Sequence, residues 1–213
     1  MKQPFRDVSG RAKRPLTDAS WNERWLDANT PWDMGKAAPP FVRALQDGLV
    51  PTGGRALVVG CGGGNDARML ATQGFDVVGI DVAEQAVVRA REIAAEQDVE
   101  LTFRHADLFA LPADLTGFDL ALEHTCFCAI DPARRDDYVD AVANVLNPGG
   151  RLMGLFFLIE PEEGPPFGAT REEIEHRFGR RFTVDHFEMP PDSHEKRLGR
   201  EALITMTLRV LPD

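Results

Sequence analysis

Short apolar runs alternate along this chain with segments whose apolar residues fall at helical spacing. The runs lie at 55–59, 76–80, 100–104, 118–122 and 151–158, and the helical segments at 66–73, 82–97 and 134–146. Alternating β and α segments predict an α/β fold, a doubly wound and mostly parallel sheet. A helix at 171–178 and two late strands at 182–189 and 202–210 complete a seven-stranded expectation. Upstream, Asp18, Ala19 and Ser20 offer capping residues before a short helix that begins at Trp21, and Thr30-Pro31 ends it. A second short helix follows Pro39. Residues 1–18 are polar and read as a flexible lead. The chain thus divides into an arm at 1–40 and a main domain at 41–213. The segment Asn147-Pro148-Gly149-Gly150 reads as the reversal between the third long helix and the fifth strand.

Right-handed crossovers bring the carboxyl ends of parallel strands to one edge, where ligands bind. The chemistry-bearing residues converge there. Gly60, Gly62, Gly63 and Gly64 follow the first strand, Asp81 the second, Asp107 the third, and Glu123-His124-Thr125 the fourth. Glycine lets backbone approach a ligand because no Cβ intervenes. A carboxylate at Asp81 suits the two hydroxyls of a ribose. The spacing Gly60-x-Gly62-x-Gly64, flush with the strand, suits S-adenosylmethionine (AdoMet) better than a pyrophosphate. A dinucleotide register starting at Gly62, with Ala67 as the third small residue, stays open, as does a purely structural turn. Asp107 and Leu108 fit an adenine pocket, the side chain accepting from an amine and the next N–H donating to a ring nitrogen; Asp107 also fits as a simple turn residue. Trp21, Trp25 and Trp32 read either as a staple packing the arm or as an aromatic lid over a cation such as a sulfonium. Arg24 is a candidate partner for the ligand's carboxylate.

Composition sharpens this only in part. Hydrophobic residues make up 43% of the 213 and charged residues 27%, so the chain is globular. A net charge of −10 argues against nucleic acid as a partner, although solubility alone also accounts for it. Three cysteines, Cys61, Cys126 and Cys128, do not form a disulfide framework and fit a reducing compartment. No metal is expected, because Cys126-Phe127-Cys128 lacks the companion ligands zinc needs. No apolar run approaches the ~20 residues of a membrane span, and the N-terminus has no signal-like apolar stretch, so the expected location is cytoplasmic.

Several motifs together resemble one family. Trp21-Asn22-Glu23-Arg24-Trp25 with Pro31-Trp32-Asp33-Met34-Gly35 is similar to a W-x-x-R-W…P-W-D-x-G signature. Val58-Val59-Gly60-Cys61-Gly62-Gly63-Gly64-Asn65-Asp66 resembles V-P-G-C-G-x-G-x-D, with Val59 in place of the proline. The segment from Glu123 to Pro132 resembles D-[HY]-x-F-F-C-A-I-x-P, with Cys126 where an apolar residue is usual. Gly164-Pro165-Pro166-Phe167 resembles G-G-P-P-[FY], and Leu146 to Leu152 resembles L-x-P-G-G-x-L. These are motifs of the thiopurine S-methyltransferase superfamily, on its thiol, thiocyanate and halide branch, which belongs to the class I AdoMet-dependent methyltransferases. The resemblance implies a Rossmann-like fold with an N-terminal helical lid. It implies AdoMet contacts at Trp21, Trp25, Trp32, Gly60, Gly62, Asp81, Asp107, Leu108 and His124, with S-adenosylhomocysteine as product. It implies a small acceptor (thiol, thiocyanate, halide or thiopurine) and a monomer or weak dimer. Methyl transfer would be an in-line displacement driven by alignment and desolvation of an electron-rich nucleophile. His124 is the candidate base for a thiol proton, or else packs on the cofactor. Pro166 and Phe167 are expected in a wall of the acceptor cavity. Arg197 and Arg200 are expected either at its mouth or in a solvated hairpin loop. An O- or N-methyltransferase, a non-catalytic AdoMet sensor and an NAD-linked oxidoreductase are the alternatives.

Overall fold

Strand β1 (Gly54–Val59) has four consecutive buried residues because helices cover both faces of the sheet at this inner strand. Leu57 and Val59 point into one apolar layer, Ala56 and Val58 into the other. A computed structural model of the chain describes residues 17–159 and 164–210; the lead up to residue 16 lies outside the described residues. β1 pairs in parallel with β2 (Phe75–Asp81) and with β4 (Phe118–His124). β3 (Thr102–His105) flanks β2, and β5 (Leu146–Phe157) flanks β4, both parallel. β7 (Glu201–Leu208) runs antiparallel between β5 and the edge strand β6 (Phe182–Glu188), so the order is β3-β2-β1-β4-β5-β7-β6. The register sets Val59 beside Ile80 and Glu123, and Asp81 beside His105. The residues after each of these strands therefore share one edge of the sheet.

Helices α2 (Pro39–Gln46), α3 (Asn65–Thr72) and α4 (Glu84–Glu96) cover one face. Phe41, Leu70 and Val87 pack there on Val58, Val77 and Leu122. Helices α5 (Arg135–Val145) and α6 (Arg171–Phe178) cover the other, where Tyr138, Val142 and Phe178 meet Leu57, Ala121 and Phe156. Helix α1 (Asp18–Leu26) buries no residue completely. It rests on the start of α4, where Asn22 Oδ1 accepts from Gln85 N at 2.9 Å.

Two expectations are corrected. Asn147-Pro148-Gly149-Gly150 is not a reversal ahead of the fifth strand but the bulged beginning of β5. Pairing steps from Phe118–Leu146 to Leu120–Arg151, and Gly149 absorbs the kink at φ +75°. The helix expected from residue 82 starts at Glu84, because Asp81 Oδ1 accepts from Ala83 N and holds that turn out of the helix. Among the described residues, no helix is long and apolar enough to cross a membrane.

Candidate functional site

The turn after β1 is shaped for close backbone approach. Gly60 and Gly62 hold φ near +58° and +52°, where side chains are rarely tolerated. A Cβ at Gly60 would stand 2.9 Å from the Cys126 sulfur, and one at Gly62 3.2 Å from the Trp25 ring. Asp81 ties the turn to the end of β2, since its Oδ2 accepts from Gly62 N at 2.9 Å. Burial raises the Asp81 carboxyl above its ordinary value, although the Ala83 and Gly62 N–H groups oppose the shift. Arg68 braces the loop from below by donating to Gly63 O and Asn65 Oδ1, and Asn65 reaches Asp33 of the arm at 2.8 Å.

After β3, Asp107 Oδ1 accepts from Phe109 N at 2.9 Å and caps a single 3-10 turn, Leu108–Ala110. The side chain thus has the turn-forming contact that a simple turn residue would have. Leu108 lines a groove of about 430 Å³ that continues along α5 past Phe109, Arg134 and Asn144.

The tryptophans form one cluster. Trp32 receives Trp21 and Trp25 edge-on, with ring centroids 5.4 and 6.5 Å away. Arg24 lies 5.6 Å from the Trp21 ring and 5.7 Å from the Trp32 ring, a cation already seated on aromatic faces. The Trp25 ring covers Gly62 and Gly63. Between Trp25, Trp32, Met34 and Lys36 of the arm and Gly60, Asp66 and His124 of the core, the cavity measures only about 50 Å³.

His124, the last residue of β4, is the centre of a partly buried chain of hydrogen bonds. Its Nδ1 lies 2.7 Å from Asp66 Oδ2 and its Nε2 lies 2.5 Å from Arg197 Nη1. Asp66 Oδ1 accepts from Ala38 N at 2.9 Å, and Arg197 Nη2 donates to Trp32 O at 2.7 Å. Arg197 is only 5% exposed, so it belongs neither to a solvated hairpin nor to an open mouth. It points inward because a carbonyl, an imidazole nitrogen and, at 3.9 Å, Glu201 Oε2 receive it. Arg200 is exposed and lies 5.6 Å from the Phe157 ring.

Neighbouring groups order the loop after β4. Glu123 is buried, accepts from Cys126 N and Phe127 N at 3.0 Å each, and receives the Tyr138 hydroxyl. Burial pushes its carboxyl up. Burial also raises all three thiols, Cys128 to about 12, so they stay protonated at neutral pH. Pro166 is exposed and Phe167 half-buried, its N–H bonded to Cys128 O at 2.6 Å; neither lines the cavity beneath the tryptophans. Among the described residues, no group of three or more His, Cys, Asp and Glu could hold a metal ion.

Sequence reasoning assigned no role to Asp66 or Glu201. The signals for Asp66 were its match to the last residue of the V-P-G-C-G-x-G-x-D motif and its place in the first turn of α3, where an acid satisfies helix N–H groups as readily as a partner across the cleft.

A seven-stranded sheet with its glycine turn, acid and aromatic cover at one edge defines a class I AdoMet-dependent methyltransferase. The fold resembles 1,6-didemethyltoxoflavin-N1-methyltransferase of Burkholderia thailandensis, with a TM-score of 0.73 and 19% identity over 97% of this chain and 98% of that one. It also resembles magnesium protoporphyrin IX methyltransferase of Synechocystis, with a TM-score of 0.71 and 18% identity over 93% and 100%. The model of the thiopurine S-methyltransferase (TPMT) family matches residues 16–209, and the chain belongs to that family. Thiocyanate methyltransferase 1 of Brassica oleracea is 33% identical over 94% of this chain and 89% of its own length. Thiopurine S-methyltransferase of Legionella pneumophila is 29% identical over 72% and 77%.

Proposed function

We propose that this enzyme methylates sulfur, or a comparably soft atom, of a small acceptor such as a thiol, thiocyanate, halide or thiopurine. The observation that carries the reading is Arg197, a buried cation facing the His124 ring at the carboxyl end of β4. A fixed positive charge in a largely dehydrated cleft attracts an anionic nucleophile and strips its water. The relatives named for thiocyanate and thiopurine support the same class.

The residues at the edge fit AdoMet. The Gly60 and Gly62 turn leaves backbone bare where any Cβ would meet Cys126 or Trp25, which suits the amino-acid moiety. Asp81 suits the ribose, and Asp107 with Leu108 the adenine. The arm from Trp21 to Trp32 serves as the lid over the ligand. AdoMet supplies an electrophilic methyl on a sulfonium. Arg197 orients the acceptor, the tryptophans exclude water, and His124 accepts the proton of an acceptor that arrives as a thiol. Phe167 and Pro166, on the loop anchored at Cys128, form the outer wall for a larger acceptor.

The test is S-adenosylhomocysteine release from AdoMet with hydrosulfide, alkyl and aryl thiols, thiopurines, thiocyanate, iodide, phenols and amines. Turnover confined to the sulfur and halide acceptors is expected. Turnover only with phenols or amines keeps the cofactor and overturns the S-methyl reading.

A further inference from the structure

The hydrogen-bond chain through His124 fixes more than a position. A guanidinium has donors only. With Arg197 Nη1 at 2.5 Å, His124 Nε2 can only be the acceptor, so the ring proton sits on Nδ1, facing Asp66 Oδ2 at 2.7 Å. Asp66 in turn is held at both oxygens, by the ring and by Ala38 N. Phe41 packs edge-on against the imidazole with centroids 5.4 Å apart. The ring is therefore locked with its lone pair on Nε2, turned toward the buried cation and away from the carboxylate.

We propose that Asp66 is the positioning residue that makes His124 a base, and that Arg197 is an exchangeable partner on the same nitrogen. Together they let one site serve two acceptor classes, preformed anions and protonated thiols. The proposal rests on the S-methyltransferase reading above. An anion pairs with Arg197 and needs no proton transfer. A thiol displaces Arg197 from Nε2 and gives its proton to that nitrogen, the S–H electron pair staying on sulfur. The resulting thiolate takes the methyl, the pair of the broken sulfonium bond stays on S-adenosylhomocysteine, and the imidazolium returns its proton to water. Asp66 faces Nδ1 throughout and holds the ring in its orientation.

The charged groups around this ring come from several elements. Asp66 on α3 and Arg197 before β7 touch it; Glu123 precedes it on β4; Arg68 stands near Asp66, and Glu201 behind Arg197. Asp33 and Lys36 of the arm line the same cavity. None of these others meets a ring nitrogen, so Asp66 and Arg197 are the two groups that set where the proton sits within the ring.

Asp66→Asn separates this role from a structural one. Its carbonyl keeps the Ala38 bond while its amide donates to Nδ1, which drives the ring proton to Nε2 and obliges Arg197 Nη1 to leave that nitrogen. Long-range nitrogen–proton NMR of the protein without AdoMet, with His124→Asn to assign the signal, reads this directly. We expect Nδ1–H in the wild type and Nε2–H in Asp66→Asn. With AdoMet, kcat/KM for an alkyl thiol below its own pKa falls about 100-fold further than that for thiocyanate, as for loss of a general base. The thiol deficit disappears as pH rises past the thiol's pKa, because the thiolate then arrives ready-made. An Nε2–H tautomer in the wild type overturns the proposal without any variant having to fold. Equal losses for thiol and thiocyanate overturn it as well. Failure of the wild type to turn over any sulfur or halide acceptor instead overturns the S-methyl reading on which it rests.

Discussion

At the scale of single residues, Asp81 shows how one carboxylate joins loop geometry to ligand binding. Its oxygens already receive Gly62 N and Ala83 N, so the same side chain that shapes the glycine turn is the one proposed for the ribose. Asp81→Ala is expected to weaken AdoMet by about 1.5–3 kcal/mol, the range for hydrogen bonds to a charged group, read by titration calorimetry. Unchanged affinity removes Asp81 from the ribose. The place of this residue beside the glycine turn was legible in the sequence because its distance from Gly60 follows from one β-α-β unit. The Asp66–His124–Arg197 chain was not, because its members lie 58 and 73 residues apart. Such a contact depends on how α3 and the segment before β7 pack over the sheet, and no local pattern encodes it. The buried setting of Arg197 was hidden for the same reason. A lysine- and arginine-rich stretch with glycine reads as solvated until a carbonyl and an imidazole are found waiting for it.

At the scale of elements, the α/β alternation was readable because each strand's apolar run is bounded by polar turns. The insertion of β7 between β5 and β6 was not, since antiparallel pairing of late strands leaves no trace in their own periodicity. The bulged start of β5 escaped because Pro-Gly-Gly carries the same turn signal whether the chain reverses or only kinks. The arm is where element structure bears most on function. Ligand pockets run to about 300–1,000 Å³, against the 50 Å³ left beneath Trp25 and Trp32. The lid proposed above therefore requires the arm to move when AdoMet enters. All three tryptophans of the chain lie in α1 and the turn after it, so tryptophan emission reports this element alone. AdoMet is expected to change that emission saturably, with an amplitude lost in Trp25→Phe. A titration that binds AdoMet without altering emission sinks the lid.

At the scale of the whole molecule, Glu123 imposes a pH dependence on stability. It is buried between the sheet and α5, and burial outweighs the donors from Tyr138, Phe127 and Cys126, so its folded-state pKa is raised. The folded chain then keeps a proton that the unfolded chain has already lost. Stability from this group is complete at acid pH and declines as pH rises from about the ordinary glutamate value of 4.5 through the shifted one. Urea unfolding across that window is expected to find Glu123→Gln gaining on the wild type as pH increases; a constant difference between the two would show that Glu123 titrates normally.

Asp66 and Arg197 each have a second grip, and both grips fall on the main chain of the arm, at Ala38 N and Trp32 O. In the exchange proposed above, the proton on His124 and the closure of the cover are thus two ends of one linked equilibrium. Linkage is reciprocal: whatever draws Arg197 from the ring relaxes its hold on Trp32 by the same free energy with which an open cover favours that exchange. An acceptor that takes the place of Arg197 on the ring therefore acts on the door as well as on the chemistry behind it.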